Sequence, residues 1–256
     1  MICESELKGI ITDRWSARAK TYDMSPGHGI HSDQEKQAWL EILSGALDYK
    51  KDLKILDVGT GTGALALLFA EMNHKVTGID LSENMLNKAR EKASKGKLKA
   101  EFKVGDAETP PFEEESFDAI ACRHLLWTIP NPDKAVNSWK NILKPGGRLI
   151  IIDGNFGRNN KRTMLQEIWR YAAMPLIFFT EFRNPRMPQK DLDAHLPMRS
   201  RERPAADVNM LESAGFKVKV TEVDIPRKYS LISYMKYGYS KHSKYQFVVT
   251  GVKEGK

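Results

Sequence analysis

The sequence predicts an α/β fold, a mostly parallel sheet with helices on both faces, and three observations carry that reading. Strand-like and helix-like patterns alternate over about 100 residues in the middle of the chain, the signature of such sheets. Three glycines, Gly59, Gly61 and Gly63, follow directly on the first apolar run. Acidic residues stand at the ends of the first two runs, Asp57 and Asp80. Ligands of parallel sheets sit at the carboxyl ends of the strands, so the glycines and acids mark a candidate site.

Taken in order, Lys54–Val58 (KILDV) is the first short apolar strand. A helix over Ala64–Met72 follows, with Leu65, Leu68, Phe69 and Met72 on one face at helical spacing. Val76–Ile79 is the second strand. Ser82 is placed to cap a helix from Glu83 to about Ser94. Ala100–Val104 and Phe117–Cys122 are the third and fourth strands. Asn131 is expected to cap a helix with Pro132 at its first position, where the missing N–H costs nothing. Ala135, Val136, Trp139, Ile142 and Leu143 form its apolar face. The run LKPGGRLIIID ends that helix at Pro145–Gly147 and opens a fifth strand over Arg148–Asp153. A helix over Ala205–Ala214, Gly215, and strands over Lys217–Asp224 and Tyr245–Val252 complete the pattern.

The length, 256 residues, allows one domain with an insertion or two small ones. The N-terminus lacks a basic start followed by an apolar core, so no secretion signal is expected. No apolar run reaches the ~18 residues a membrane span needs. Cys3 and Cys122 are the only cysteines, which is no disulfide framework. The cytoplasm is the expected compartment. The formal charge of +7 is concentrated late in the chain. Between Gly154 and Pro204 there are ten Lys/Arg against five Asp/Glu, and between Arg227 and Gln246 five against none. That excess permits nucleic acid or an anionic small molecule as partner.

Glycines let backbone approach a ligand closely and turn freely. The helix after them offers unpaired N–H groups, so a dinucleotide pyrophosphate is one reading. The spacing disfavours it, because Gly59-x-Gly61-x-Gly63 is not G-x-G-x-x-G. Asp80, seventeen residues after Gly63, is placed to accept both hydroxyls of a ribose. Asp57 is too close for that role and would face a cationic amine or hold the loop. A cofactor with a ribose and an ammonium, without phosphate, accounts for both acids.

Together, LDVGTGTG, GIDLS, VGDAETPPF, FDAIACRHLLWTIPNP and LKPGGRLIIID resemble the motifs of class I S-adenosylmethionine-dependent methyltransferases. LESAGFKVKV and YQFVVTGVK are similar to that family's last helix and antiparallel strand pair. The resemblance implies a Rossmann-like sheet of seven strands, mostly parallel with the last antiparallel, and S-adenosylmethionine as cofactor. Position by position, it implies that Asp57 and the loop Gly59, Thr60, Gly61 and Gly63 hold the methionine part. Asp80 would hold the ribose, Leu81 and Met85 the adenine face, and Asp106 and Ala107 its edge. Cys122 and Arg123 would pass beside the methionine part, and Tyr22 would close over its carboxylate. Within the class, YDMSPGHGIHSDQEKQAW is similar to the ubiquinone/menaquinone C-methyltransferases, although their signature before the last helix is missing.

The resemblance divides the chain into an N-terminal helical cover (1–50), a core (51–153 and 205–256) and a lid or substrate insertion (154–204). His124, after the fourth strand, is a candidate base, or else a histidine turned into the next helix. His28 and His31 are candidates for cover or substrate contact; two histidines without a third ligand do not make a metal site. Cys122 is expected to be an inert strand-end thiol, since Ala121 stands where nucleophilic cysteines of RNA-modifying relatives carry proline. The helical stretch in the insertion is expected to pack over the strand ends. Arg158, Arg162, Arg183, Arg186, Arg199, Arg201 and Arg203 come with it and suit a polar or anionic small acceptor. The rival acceptor is RNA, since five tyrosines cluster with basic residues at Tyr229–Tyr245. A noncatalytic cofactor-binding module and a dehydrogenase are further alternatives. Monomer and dimer both stay open.

Overall fold

A strand buried on both faces sends alternate side chains into two separate cores. Lys54–Val58 (β1) does so: Ile55 joins one apolar cluster, Leu56 and Val58 the other. The structure is a computed structural model that describes residues 3–25, 27–154, 163–181, 192, 194–226, 231–238 and 246–255.

The N-terminal elements are α1 (Glu4–Arg18), a short turn of 3-10 helix (Tyr22–Met24) and α2 (Asp33–Ala46). After β1 come α3 (Ala64–Glu71), β2 (Lys75–Asp80), α4 (Glu83–Gly96), β3 (Ala100–Val104), β4 (Phe117–Arg123), α5 (Pro132–Ile142) and β5 (Leu143–Gly154). Then follow α6 (Met164–Glu181), α7 (Ala205–Ser213), β6 (Phe216–Val223), α8 (Leu231–Tyr237) and β7 (Gln246–Lys253).

The seven strands lie in the order β3-β2-β1-β4-β5-β7-β6. β1 to β5 pair in parallel, and β7 runs antiparallel to both β5 and β6. Strand order reverses between β1 and β4, so the crevice where a ligand belongs opens at the ends of these two strands. Trp39 and Leu43 of α2 pack with α3 and α4 on one face. Val136 and Trp139 of α5 pack with Met210 and Leu211 of α7 on the other.

Local signals act as the sequence suggests at several ends. Ser82 Oγ accepts the Met85 N–H at 3.2 Å and caps α4. Ser32 does the same for α2, accepting from Glu35 at 3.1 Å. Asn131 does not cap α5; its amide turns to the buried Glu108 at 3.3 Å instead. α5 also ends earlier than its sequence suggests, at Ile142, because Leu143 pairs with Phe117 and draws LKPGG into β5.

α6 packs chiefly on α8: Trp169, Ala173 and Ile177 meet Tyr237, and Trp169 Nε1 donates to the Met235 carbonyl at 2.9 Å. Glu181, Lys236 and Tyr237 form a buried polar cluster that joins the two helices. Among the described residues no helix is long and apolar enough to cross a membrane.

Candidate active site

The loop after β1 sets the geometry. Gly59, Gly61 and Gly63 all adopt positive φ, at +63°, +54° and +82°. A Cβ on Gly59 would lie 2.5 Å from the Leu125 side chain, so that position is closed to any larger residue. A Cβ on Gly61 would meet only the Tyr22 ring, at 4.0 Å, because Gly61 faces a cavity. About 760 Å³ of empty space lies within that cavity, the open solvent at its mouth included.

Asp80 stands at the end of β2 on the cavity wall. Its Oδ2 accepts the Gly61 N–H at 2.9 Å and its Oδ1 the Ser82 N–H at 2.9 Å. Each oxygen keeps a second lone pair, so the oriented carboxylate can still accept two hydroxyls. Burial raises its pKa against the pull of these backbone bonds. Leu81, Met85, Asp106 and Ala107 continue the wall, and Tyr22, Arg123 and His124 complete the part foreseen from sequence.

Asp57, Thr60, Gly63, Cys122 and His28 lie behind that wall. Asp57 Oδ2 accepts the Thr60 hydroxyl at 2.6 Å and the Ala66 N–H at 3.0 Å, so it buttresses the loop and the start of α3. Burial pushes its carboxyl up to about 7, opposed by those two bonds and by the Arg123 charge. Gly63 packs against Ala89 of α4. The Cys122 thiol is buried and its pKa is raised well above normal by burial, which leaves it protonated and unreactive. His28 meets Tyr22 edge-on with ring centroids 4.4 Å apart, and its carbonyl accepts from Arg123.

The N-terminal segment supplies what sequence reasoning missed. Lys8, Ile11, Thr12 and Trp15 of α1 line the cavity. Lys8 Nζ donates to Asp106 and Glu108, each at 2.8 Å. Burial lowers the Lys8 pKa, but its acidic partners outweigh that and raise it. Ser16 bonds Ser82 at 2.7 Å, and Asp23 joins Thr62 at 2.6 Å and Lys92 at 2.9 Å. The Tyr22 phenol, buried under this cover, is pushed up to about 12 by burial. Only the charge of Lys8, four residues after Glu4, gave any local hint of this role.

His124 adopts φ +56°, which turns its ring back toward β5. Its Nδ1 lies 2.9 Å from Asp153 Oδ1. Burial pushes Asp153 up, yet the Arg203 guanidinium and the His124 bond outweigh it and hold the carboxyl below its ordinary value. An ionised Asp153 can only accept, so the proton of that bond lies on Nδ1. Among the described residues, no three side chains of metal-binding type come together.

The described arginines of the insertion have other partners than the cavity. Arg203 is held by Asp153 and Asp207, and Arg199 stacks on Trp127 at 4.6 Å. Arg201 reaches toward Met198 Sδ at 3.8 Å. Arg158, Arg162, Arg183 and Arg186 lie outside the described residues.

A glycine cradle open to a cavity, an oriented carboxylate at the end of β2 and a flat apolar slot fit an adenosyl sulfonium. The model of a methyltransferase domain matches residues 56–151. This chain belongs to the class I S-adenosylmethionine-dependent methyltransferases, and S-adenosylmethionine is its cofactor. It is 30% identical over 181 residues to a ubiquinone/menaquinone biosynthesis C-methyltransferase UbiE of Rhizobium rhizogenes, covering 68% of this chain and 69% of that one. The fold is similar to that of a SAM-dependent methyltransferase from Aquifex aeolicus, at TM-score 0.59 and 21% identity over 93% of this chain and 98% of the other. It also resembles phosphoethanolamine N-methyltransferase 2 of Haemonchus contortus, at TM-score 0.64 and 22% identity, covering 96% of this chain and 60% of that one.

Proposed function

We propose that this methyltransferase acts on a small polar acceptor that loses a proton as it is methylated, and that His124 is the base. The observation that carries the reading is the His124–Asp153 pair on the wall of the cofactor cavity. When bound, S-adenosylmethionine supplies an electrophilic methyl group on sulfur. Asp80 and the Gly61 backbone would hold its ribose and methionine part, and Leu81, Met85 and Ala107 its adenine. Arg123 would face the cofactor's carboxylate. The protein's own work is alignment and exclusion of water by Trp15 and Tyr22. His124 Nε2 would take the acceptor's proton, and Asp153 would stabilise the imidazolium.

Small size is supported by the cover that α1 and Tyr22 place over the cavity. Arg203 offers an anionic acceptor little, since its guanidinium is held by two carboxylates. We read residues 1–50 as that cover, 51–153 with 205–256 as the core, 154–204 as an insertion, and the cytoplasm as the place of action. A second reading, a quinone-type ring methylated at carbon, is favoured by the name of the curated relatives and by the aromatic wall of Trp15 and Tyr22. The RNA reading is weakened at Tyr237, which is buried on Glu181; Tyr234 meets Trp169 edge-on, and the other three tyrosines lie outside the described residues.

The test is S-adenosylhomocysteine release with a panel of phenols, quinols, amines and phosphate esters, for wild type and His124→Gln. The expected result is one responsive acceptor class and a loss of about 10²–10⁴ in kcat without loss of cofactor binding. Equal kcat in the two proteins at every pH would remove His124 as base.

A further inference from the structure

Two buried charges beyond the His124–Asp153 pair have no part in the chemistry so far. Arg203 lies fifty residues after Asp153 and joins the site from the segment that enters α7. Its Nε donates to Asp207 Oδ2 at 2.8 Å and its Nη2 donates to Asp207 Oδ1, a planar two-point grip. Its Nη1 donates to Asp153 Oδ2, the oxygen that His124 does not use. The guanidinium also lies over the Phe247 ring at 5.4 Å. Asp153 and Asp207 are wholly buried and Arg203 nearly so.

Buried ion pairs are a poor way to hold a helix on a sheet, because apolar side chains of similar volume serve as well or better. The neighbours here, Met210, Leu211 and Phe247, are apolar already. What charges add is a fixed field at Asp153.

We propose that Arg203 and Asp207 are positioning residues for the base: Arg203 aims Asp153 at His124 Nδ1 and offsets its charge, and Asp207 offsets Arg203 in turn. The imidazole is thereby held with Nδ1–H toward Asp153 and Nε2 on the far side of the ring. The proposal rests on the reading of His124 as base. It makes Arg203 a residue of the catalytic apparatus that never touches the acceptor.

The sign of each charge decides the test. Without Arg203, Asp153 acts on His124 undiluted, and imidazolium is favoured. Without the charge of Asp207, Arg203 is less compensated and imidazolium is disfavoured. A purely structural role predicts no such opposition. Titratable groups near the ring among the described residues include His28, at 5.7 Å between centroids, Arg123 and Cys122 beside it on β4, and Asp57 on β1. Tyr22 meets His28 edge-on. All of these stay unchanged in the variants.

The experiment is a pH titration by NMR of protein labelled with ¹⁵N-histidine, the His124 signals being assigned by their loss in His124→Gln. Two variants are compared with wild type: Asp207→Asn, and the double change Arg203→Gln with Asp207→Asn, which swaps the ion pair for a neutral amide pair and leaves no lone buried charge. Wild type should show the Nδ1–H tautomer. Proton affinity of His124 should rise about tenfold in the double variant and fall about tenfold in Asp207→Asn. Shifts of the same sign, no shifts, or an Nε2–H tautomer in wild type would overturn the proposal. Opposite shifts in a protein whose methyl transfer ignores His124→Gln would uphold the charge relay and overturn the base reading alone.

Discussion

Asp80 Oδ2 accepts the Gly61 N–H at 2.9 Å, which ties the end of the second strand to the loop after the first. The same carboxylate is the intended ribose partner, so one side chain both shapes the cradle and faces the cofactor. Asp80→Ala should therefore abolish the thermal stabilisation by S-adenosylmethionine while the free protein still folds. A ligand at 100 times its Kd stabilises the wild type by about 2.7 kcal/mol, which a melt resolves readily. An undiminished shift in the variant would place the ribose elsewhere.

Gly61→Ala tests the cradle itself. The new Cβ would enter the cavity at a residue with φ +54°, a conformation that costs a non-glycine residue about 1–2 kcal/mol. Weaker cofactor binding should accompany a modest fall in melting temperature. A variant that lost stability but bound S-adenosylhomocysteine as before would show that Gly61 serves the turn and not the ligand.

Asp57 makes a pH-dependent prediction. Its native pKa, about 7, lies above the ordinary carboxylate value, so the native state binds its proton more tightly than the unfolded chain. Its contribution is fully present below the unfolded pKa and is lost as pH rises through about 7. Asp57→Asn mimics the protonated form and can still accept from Thr60 and Ala66. The variant should thus gain stability relative to wild type as pH rises from the ordinary carboxylate range through about 7, in urea melts of the cofactor-free protein. A difference independent of pH would mean that Asp57 stays ionised throughout.

Lys8 fastens α1 to Asp106 and Glu108. Glu108 is buried, with 1% of its surface exposed, so removal of its cationic partner is costly. Lys8→Met should lower stability by about 1–3 kcal/mol and weaken cofactor binding as the cover loosens. Calorimetric titration with S-adenosylhomocysteine and a urea melt check the two effects; wild-type behaviour in both would reduce the Lys8 ties to surface pairs.

Much of this architecture is legible one segment at a time. The apolar run of KILDV, the helical spacing of Leu65, Leu68 and Phe69, and the cap at Ser82 are local signals, and the structure has the elements they call for. Asn131 misled because its side chain had a nearer use, at Glu108, than the helix start before it. The end of α5 was misplaced because Leu143 had a strand partner, Phe117, that no local pattern reveals. The partner of α6 is hidden for the same kind of reason: its apolar side meets α8, which lies far along the chain.

By itself, then, the sequence determined the alternation of strands and helices, the glycine loop and the acid at the end of β2. These depend on side-chain periodicity and backbone freedom within a few residues. The tertiary structure alone decided what surrounds that loop. Lys8 meets Asp106 across 98 residues and Arg203 meets Asp153 across 50, and neither pair carries any mark in the neighbouring sequence. Such contacts form because the sheet order and the docking of α1 and α7 bring the charged groups together, and a buried charge left there without its partner would be costly.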